Sequence, residues 1–160
     1  MFRELLKQYL EEHQVHAMAR TSAEDPLRGY KFRISIPGLP SSCGFKKIGG
    51  LKDEMGVIEY DEGGYDHTHK LKGKAKGGEL TCEKGMFPSK QVEEVFRNSL
   101  ASDDDRCTIV VALLDAKGNV ARDWKLAECW CSAWEAGDLD ASSEDVLVET
   151  ITIQYEYFLD

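Results

Sequence analysis

The chain has 160 residues, 20 Lys plus Arg against 29 Asp plus Glu, and a formal net charge of −9. Its length suits one domain, and its acidity argues against tight DNA or RNA binding, where phosphate contacts call for a net basic surface. Membrane insertion is equally unexpected, because the longest aliphatic run, residues 109–114, falls far short of the ~20 residues of a spanning helix. The charge is also unevenly spread. Residues 1–100 carry 16 basic and 15 acidic side chains, whereas residues 101–160 carry 4 and 14.

Phe2, Leu5, Leu6, Tyr9, Leu10 and His13 recur at three- and four-residue spacing. This predicts one amphipathic helix through about the first twenty residues, ended at 21–26 by Pro26 and the residues before it. The first turn holds an acid and the segment has no long apolar core, so it does not read as a secretory signal. A helix standing ahead of the main domain reads as a docking element, the alternative being a helix packed on its own domain. The periodicity then changes to two: Tyr30, Phe32, Ile34 and Ile36 alternate with Lys31, Arg33 and Ser35, as in a half-buried strand. Residues 45–49 and 54–60 are two further short strands. Residues 61–78 are polar, hold five glycines and show no apolar period. Strand character resumes at 79–84.

Pro88 and Ser89 open a second helix with Val92, Val95, Phe96 and Leu100 on one stripe and Ser89 as the expected N-cap. Residues 107–115 form the most apolar strand. Ala116, Lys117, Gly118 and Asn119 turn it into a hairpin with 120–126. A last, long strand covers 146–158, with Leu147, Ile151, Ile153, Tyr155 and Tyr157 on one face and Val148, Thr150, Thr152, Gln154 and Glu156 on the other. The total is mainly β: an antiparallel barrel or sandwich of about seven strands with one flanking helix, plus the N-terminal helical extension.

No enzyme motif is present: nucleophile-elbow, Walker and dinucleotide-binding patterns are absent from the sequence. His67 and His69 share one side of an extended chain near Glu62 and Asp66, but no third ligand stands at a metal spacing, so no metal and no cofactor are expected. Cys129 and Cys131 have the wrong spacing for a zinc knuckle or a thioredoxin-type pair; in a strand they share one face with Trp130 on the other. Five cysteines (Cys43, Cys82, Cys107, Cys129, Cys131) are an odd number, and in a reducing compartment they default to free thiols.

Lys70, Lys72, Lys74 and Lys76 alternate with small or apolar residues, which in an extended strand lines all four ammonium groups along one face. Such a basic strip is either a charged strand edge or a contact for an acidic surface. The acidic material in view is this chain's own C-terminal third, so the four lysines are candidate contacts between copies associating head to tail.

Several stretches in order resemble the tail tube proteins of contractile-tailed phages and phage-like contractile injection systems. They are DPLRGYKFRISI at 25–36, FKKIGGL at 45–51, EYDEGG at 59–64, KLKGKAK at 70–76 and LTCEKG at 80–85. The apolar run at 109–114 with Asp115, Gly118, Val120 and Trp124, and VETITIQYE at 148–156, complete the series. The resemblance divides the chain into a helical extension at 1–24, which it does not reach, and a tail-tube β-barrel domain at 25–160. It implies a non-enzymatic structural subunit whose sixfold rings stack into a hollow tube inside a contractile sheath. Implied partners are further copies of itself, the tail sheath protein, a baseplate or tube initiator and a tail terminator. DNA or effector cargo passes through the lumen without specific binding, and a net-negative wall favours such sliding. The implied location is the virion tail or an injection particle, assembled in a bacterial cytoplasm. A baseplate initiator of the same fold is the nearest alternative, ahead of a type VI-like secreted ring and of a metal or redox module. Disulfides within or between subunits, from any of the five cysteines, become possible once a particle leaves the reducing cytoplasm.

Overall fold

The computed structural model describes residues 1–12, 26–40 and 43–159, with the backbone alone at 9–12. The N-terminal helix is present as α1, Phe2–Glu12; its expected continuation and end lie outside the described residues. Its stripe residues Phe2, Leu5 and Leu6 are exposed. No helix among the described residues is long and apolar enough to cross a membrane.

The remaining elements in chain order are β1 (Phe32–Ser35), β2 (Lys47–Gly49), β3 (Glu54–Tyr60), β4 (His69–Lys76), β5 (Gly78–Gly85), α2 (Gln91–Ala101), β6 (Cys107–Leu114), β7 (Val120–Ala136), β8 (Val148–Tyr155) and β9 (Tyr157–Leu159). A seven-stranded antiparallel sheet runs β1-β6-β7-β8-β5-β2, with β9 also paired to β7. Among the described residues β3 and β4 pair only with each other. This is the mainly β, antiparallel, seven-stranded fold with a flanking helix that the sequence predicts.

The sheet curves because β7, at 17 residues, serves two sets of neighbours. Its first half pairs with β6 and β9, its second half with β8. The bend lies where the register to β6 slips and Glu128 takes φ 55, a bulge conformation unusual for a residue other than glycine. Arg106 braces this corner, lying 3.7 Å from Glu128 and paired also with Glu156, at the break between β8 and β9. The Glu156 amide donates to the Ala127 carbonyl at 3.1 Å, so the final strand expected at 146–158 is two strands. As a result Tyr157 is exposed and Phe158 packs against the core in its place.

Period-two alternation builds the core. Leu80 and Cys82 of β5, Ile151, Ile153 and Tyr155 of β8, Ile109 and Val111 of β6, and Leu126 and Cys129 of β7 all point inward, and Val92 of α2 packs onto them. Each fully buried Leu or Ile contributes about 1.5–3 kcal/mol. Val95 and Phe96 extend the helix contact, whereas Leu100 is exposed. Ser89 is not the N-cap: Lys90 holds that position without a side-chain cap bond, and Ser89 stands a residue too early to reach the first helical amides.

Two charged groups also sit inside. Lys84 and Glu149 are cross-strand partners, 5% and 4% exposed. Glu149 accepts from the Trp134 indole N–H at 3.1 Å, and the Lys84 ammonium lies 4.6 Å from the Phe87 ring centroid. Buried charge is tolerated only with such partners. Glu149, not Leu147, fills the first inward position of β8.

Candidate assembly surfaces

The polar, glycine-containing stretch at 61–78 holds a strand. β4 pairs with β3 to make a hairpin whose apolar side chains Met55, Val57, Ile58, Tyr60 and Leu71 are all more than half exposed. An isolated two-stranded ribbon is marginal in water, and apolar residues on both of its faces find no cover among the described residues.

The four lysines lie on β4 and all are exposed, but they do not share a face. Register across the hairpin pairs Glu59 with Lys70 and Val57 with Lys72, then slips, and resumes with Met55 opposite Ala75 and Glu54 opposite Lys76. Directly opposed residues share a face. Lys70 and Lys72 therefore stand with Met55, Val57 and Glu59, and Lys76 stands on the other side with Glu54, Ile58 and Leu71. Lys74 falls in the bulge, where the two strands approach so closely that a Cβ on Gly73 would lie 2.8 Å from the Gly56 carbonyl oxygen. The single basic strip is thus corrected to two half-strips, because one extra residue reverses the side of every later side chain. Among the described residues none of the four forms an ion pair.

At the hairpin tip, Tyr65, His67 and His69 meet edge to face with ring centroids 5.2–5.9 Å apart, and His69 Nε2 lies 3.5 Å from Glu62 Oε2. Among the described residues no three His, Cys, Asp or Glu side chains are placed to hold a metal ion.

All five cysteines are free thiols in the chain. Cys82, Cys129 and Cys131 are buried, with Trp130 on the opposite side of β7 from its two neighbours and 43% exposed. Burial pushes the Cys82 and Cys131 thiols up to about 12 and Cys129 up to about 11; Cys107 is raised by burial and by the Asp105 charge. A protonated thiol is neither a nucleophile nor a metal ligand, so the three buried groups, Cys82, Cys129 and Cys131, behave as small core hydrophobes. Native protein at pH 8 is expected to react with a disulfide reagent only at Cys43 and Cys107, which are half-buried. The raised thiols add stability that is complete below the unfolded-state value of about 8.5 and is lost as pH rises toward 11–12. Urea midpoints should therefore fall between pH 9 and 11, and a triple Cys→Ser control that keeps the same alkaline slope would refute that origin.

The sheet face turned away from the core carries Glu79, Thr81 and Glu83 of β5, Thr150, Thr152 and Gln154 of β8, and Trp130, Ser132, Ala133 and Glu135 of β7, with Lys47 of β2 opposite Glu83. Gln154 donates to Glu79 at 2.9 Å and to Ser132 at 3.2 Å, tying three adjacent strands into one polar surface. Half of the fourteen acids of residues 101–160 lie elsewhere, in the turns at 103–105 and 138–145. Sequence patterning did not single out this face; its signal was the outward set of alternating Thr and Glu on β5 and β8.

Comparison with known proteins agrees with this geometry. No curated protein matches the chain significantly in sequence. Among solved structures, a chain of the PVC sheath-tube complex of an extracellular contractile injection system superposes with TM-score 0.75 at 24% identity, over 86% of this chain and 93% of that one. A chain of the anti-feeding prophage tube terminating cap superposes at 0.72 with 21% identity, over 91% and 97%. A chain from the tail of a gene transfer agent particle gives 0.56 at 8% identity, over 84% and 98%. The family description that matches in sequence is T4-like virus tail tube protein gp19, over residues 28–159, from just before β1 through β9. The chain therefore belongs to the T4-like virus tail tube protein family, whose members are structural components of a tail.

Proposed function

We propose that copies of this chain close into sixfold rings and that the rings stack into a hollow tube, a conduit for DNA or effector cargo inside a contractile sheath. The observation that carries this reading is the β3–β4 hairpin. Its apolar residues are exposed on both faces and, among the described residues, its lysines form no ion pair, so a second copy that covers it buries apolar surface and offers the lysines partners. The strands at the two ends of the sheet, β1 and β2, are short and, among the described residues, unpaired on their outer sides, which suits edge-to-edge closure between neighbouring subunits.

In this reading residues 25–160 form the tube-wall domain, and the segment at 1–24 is a separate docking element whose apolar stripe meets another subunit or the sheath. The polar face of β5, β8 and β7 lines the channel. Its glutamates repel phosphate at short range, its threonines carry no charge, and the cation at its β2 edge, Lys47, stands opposite Glu83, so DNA slides past. The sheath protein, a baseplate initiator and a tube terminator complete the particle, which is a virion tail or a phage-like injection device assembled in a bacterial cytoplasm. Disulfides between copies would have to use Cys43 or Cys107, the two partly exposed thiols.

Negative-stain microscopy of the purified chain tests the reading. Tubes with a central hole are expected. Discrete rings that do not elongate would indicate an initiator or cap, and a monomer at all concentrations would overturn the proposal.

A further inference from the structure

The hairpin arm joins the seven-stranded sheet at two roots, and one side chain touches both. Tyr155 closes β8, is 3% exposed, and packs its ring edge to face on Phe158 at 5.4 Å. Its hydroxyl reaches the chain entering the hairpin, lying 2.7 Å from the Gly50 carbonyl oxygen and 2.8 Å from that of Lys52, and accepting from the Lys52 amide at 3.1 Å. A phenol has one proton, so the two carbonyls share it while the Lys52 N–H occupies a lone pair. Among the described residues no other hydrogen bond is made by the backbone of 50–53.

The chain leaving the hairpin is held by the same residue from the other side. Gly78 is the cross-strand partner of Tyr155 and lies so close that a Cβ there would fall on the phenol oxygen and 2.6 Å from Cζ. A Cβ on Gly77 would collide with the Tyr155 carbonyl and come 2.9 Å from the Glu156 Cα. The glycines thus let both roots press against one tyrosine.

We propose that Tyr155 is a positioning residue that clamps the two roots of the hairpin and sets the angle at which the arm is presented to the next copy. The clamp stands on this chain's own contacts; its consequence for docking rests on the assembly proposed above.

The test compares wild type, Tyr155→Phe and, as control, Tyr157→Phe, whose side chain is half exposed. Hydrogen exchange is followed on unassembled subunits at low concentration. In the wild type the Lys52 amide, outside any strand, should exchange as slowly as strand amides, and rapid exchange there overturns the clamp without any variant. Tyr155→Phe should speed exchange over 50–60 and 69–78 by about tenfold and leave β6 and the first half of β7 unchanged. Unchanged exchange in the hairpin overturns the clamp. Tube growth followed by light scattering should slow in the same variant. Faster hairpin exchange with wild-type tube growth would leave the clamp standing and remove the arm from assembly.

Discussion

Replacing Gly50 with alanine is expected to destabilise the domain by at least about 3 kcal/mol, which for a chain of this size lowers Tm by roughly 10 °C. Two costs add at this position. Gly50 has φ +97, a conformation strained for any residue with a Cβ. The new Cβ would also fall on the Glu79 carbonyl oxygen and 3.1 Å from its carbon. Glu79 cannot retreat, because β5 is hydrogen-bonded to β8 there, with Glu79 opposite Gln154. Other glycines separate the two costs. Gly118 has φ +86 with open space around it, so Gly118→Ala should show the backbone strain alone, about 1 kcal/mol. Gly44 has neither constraint, and Gly44→Ala should change stability by no more than about 0.5 kcal/mol. Thermal or urea unfolding of the three variants gives the comparison. If Gly50→Ala behaves like Gly118→Ala, the close crossing at the hairpin root is wrong, and the clamp at Tyr155 loses its frame.

The elements that were legible from the sequence are those with one face in the core. The β6–β7 hairpin is an example. Ile109 and Val111 of β6 face Leu126 and Trp124 of β7 at period two, and Asp115 accepts from the amides of Lys117 and Asn119 in a turn that needs Gly118 at positive φ. β4 was not legible as a strand because both its faces meet solvent, so no apolar period marks it; only its pairing with β3 defines it. The second half of β7 was missed for a different reason. Leu126 and Ala127 are buried in succession and Glu128 then takes positive φ, so the alternation stops at the bend although the strand continues to Ala136. Glu149 and Lys84 occupy inward positions of the correct parity, but charge disguises them as outward residues. The lysine pattern pointed to β4 with the wrong geometry. Gly73 was the available signal, since an isolated glycine within a strand often marks a bulge, and a bulge cancels a period-two argument beyond it.

That split makes the assembly prediction directional. Reversing Lys70 and Lys72 to glutamate changes one face of the arm, beside Met55 and Val57, and leaves the Lys76 face intact. The double variant is expected to raise the concentration needed for tube growth at least thirtyfold. Each reversal replaces an attraction of up to about 1 kcal/mol with a repulsion of similar size, and every copy in a ring repeats the loss. Stability of the unassembled domain should change little, since these side chains are exposed and, among the described residues, β4 pairs only with β3. The change in net charge is itself an alternative cause, because the chain goes from −9 to −13. Lys90→Glu with Lys117→Glu controls for it, as both residues are exposed and away from the hairpin. A contact effect spares that control, whereas general repulsion slows both variants equally. Salt separates the same two cases for the wild type: an electrostatic docking weakens between 0.1 M and 1 M, where the screening length falls from about 10 Å to 3 Å. General repulsion between acidic subunits gives the opposite trend, with growth favoured by salt. Tubes that form at wild-type concentrations from the Lys70→Glu, Lys72→Glu chain would take the lysines out of the contact and leave the apolar side chains of the hairpin as what the neighbouring copy covers.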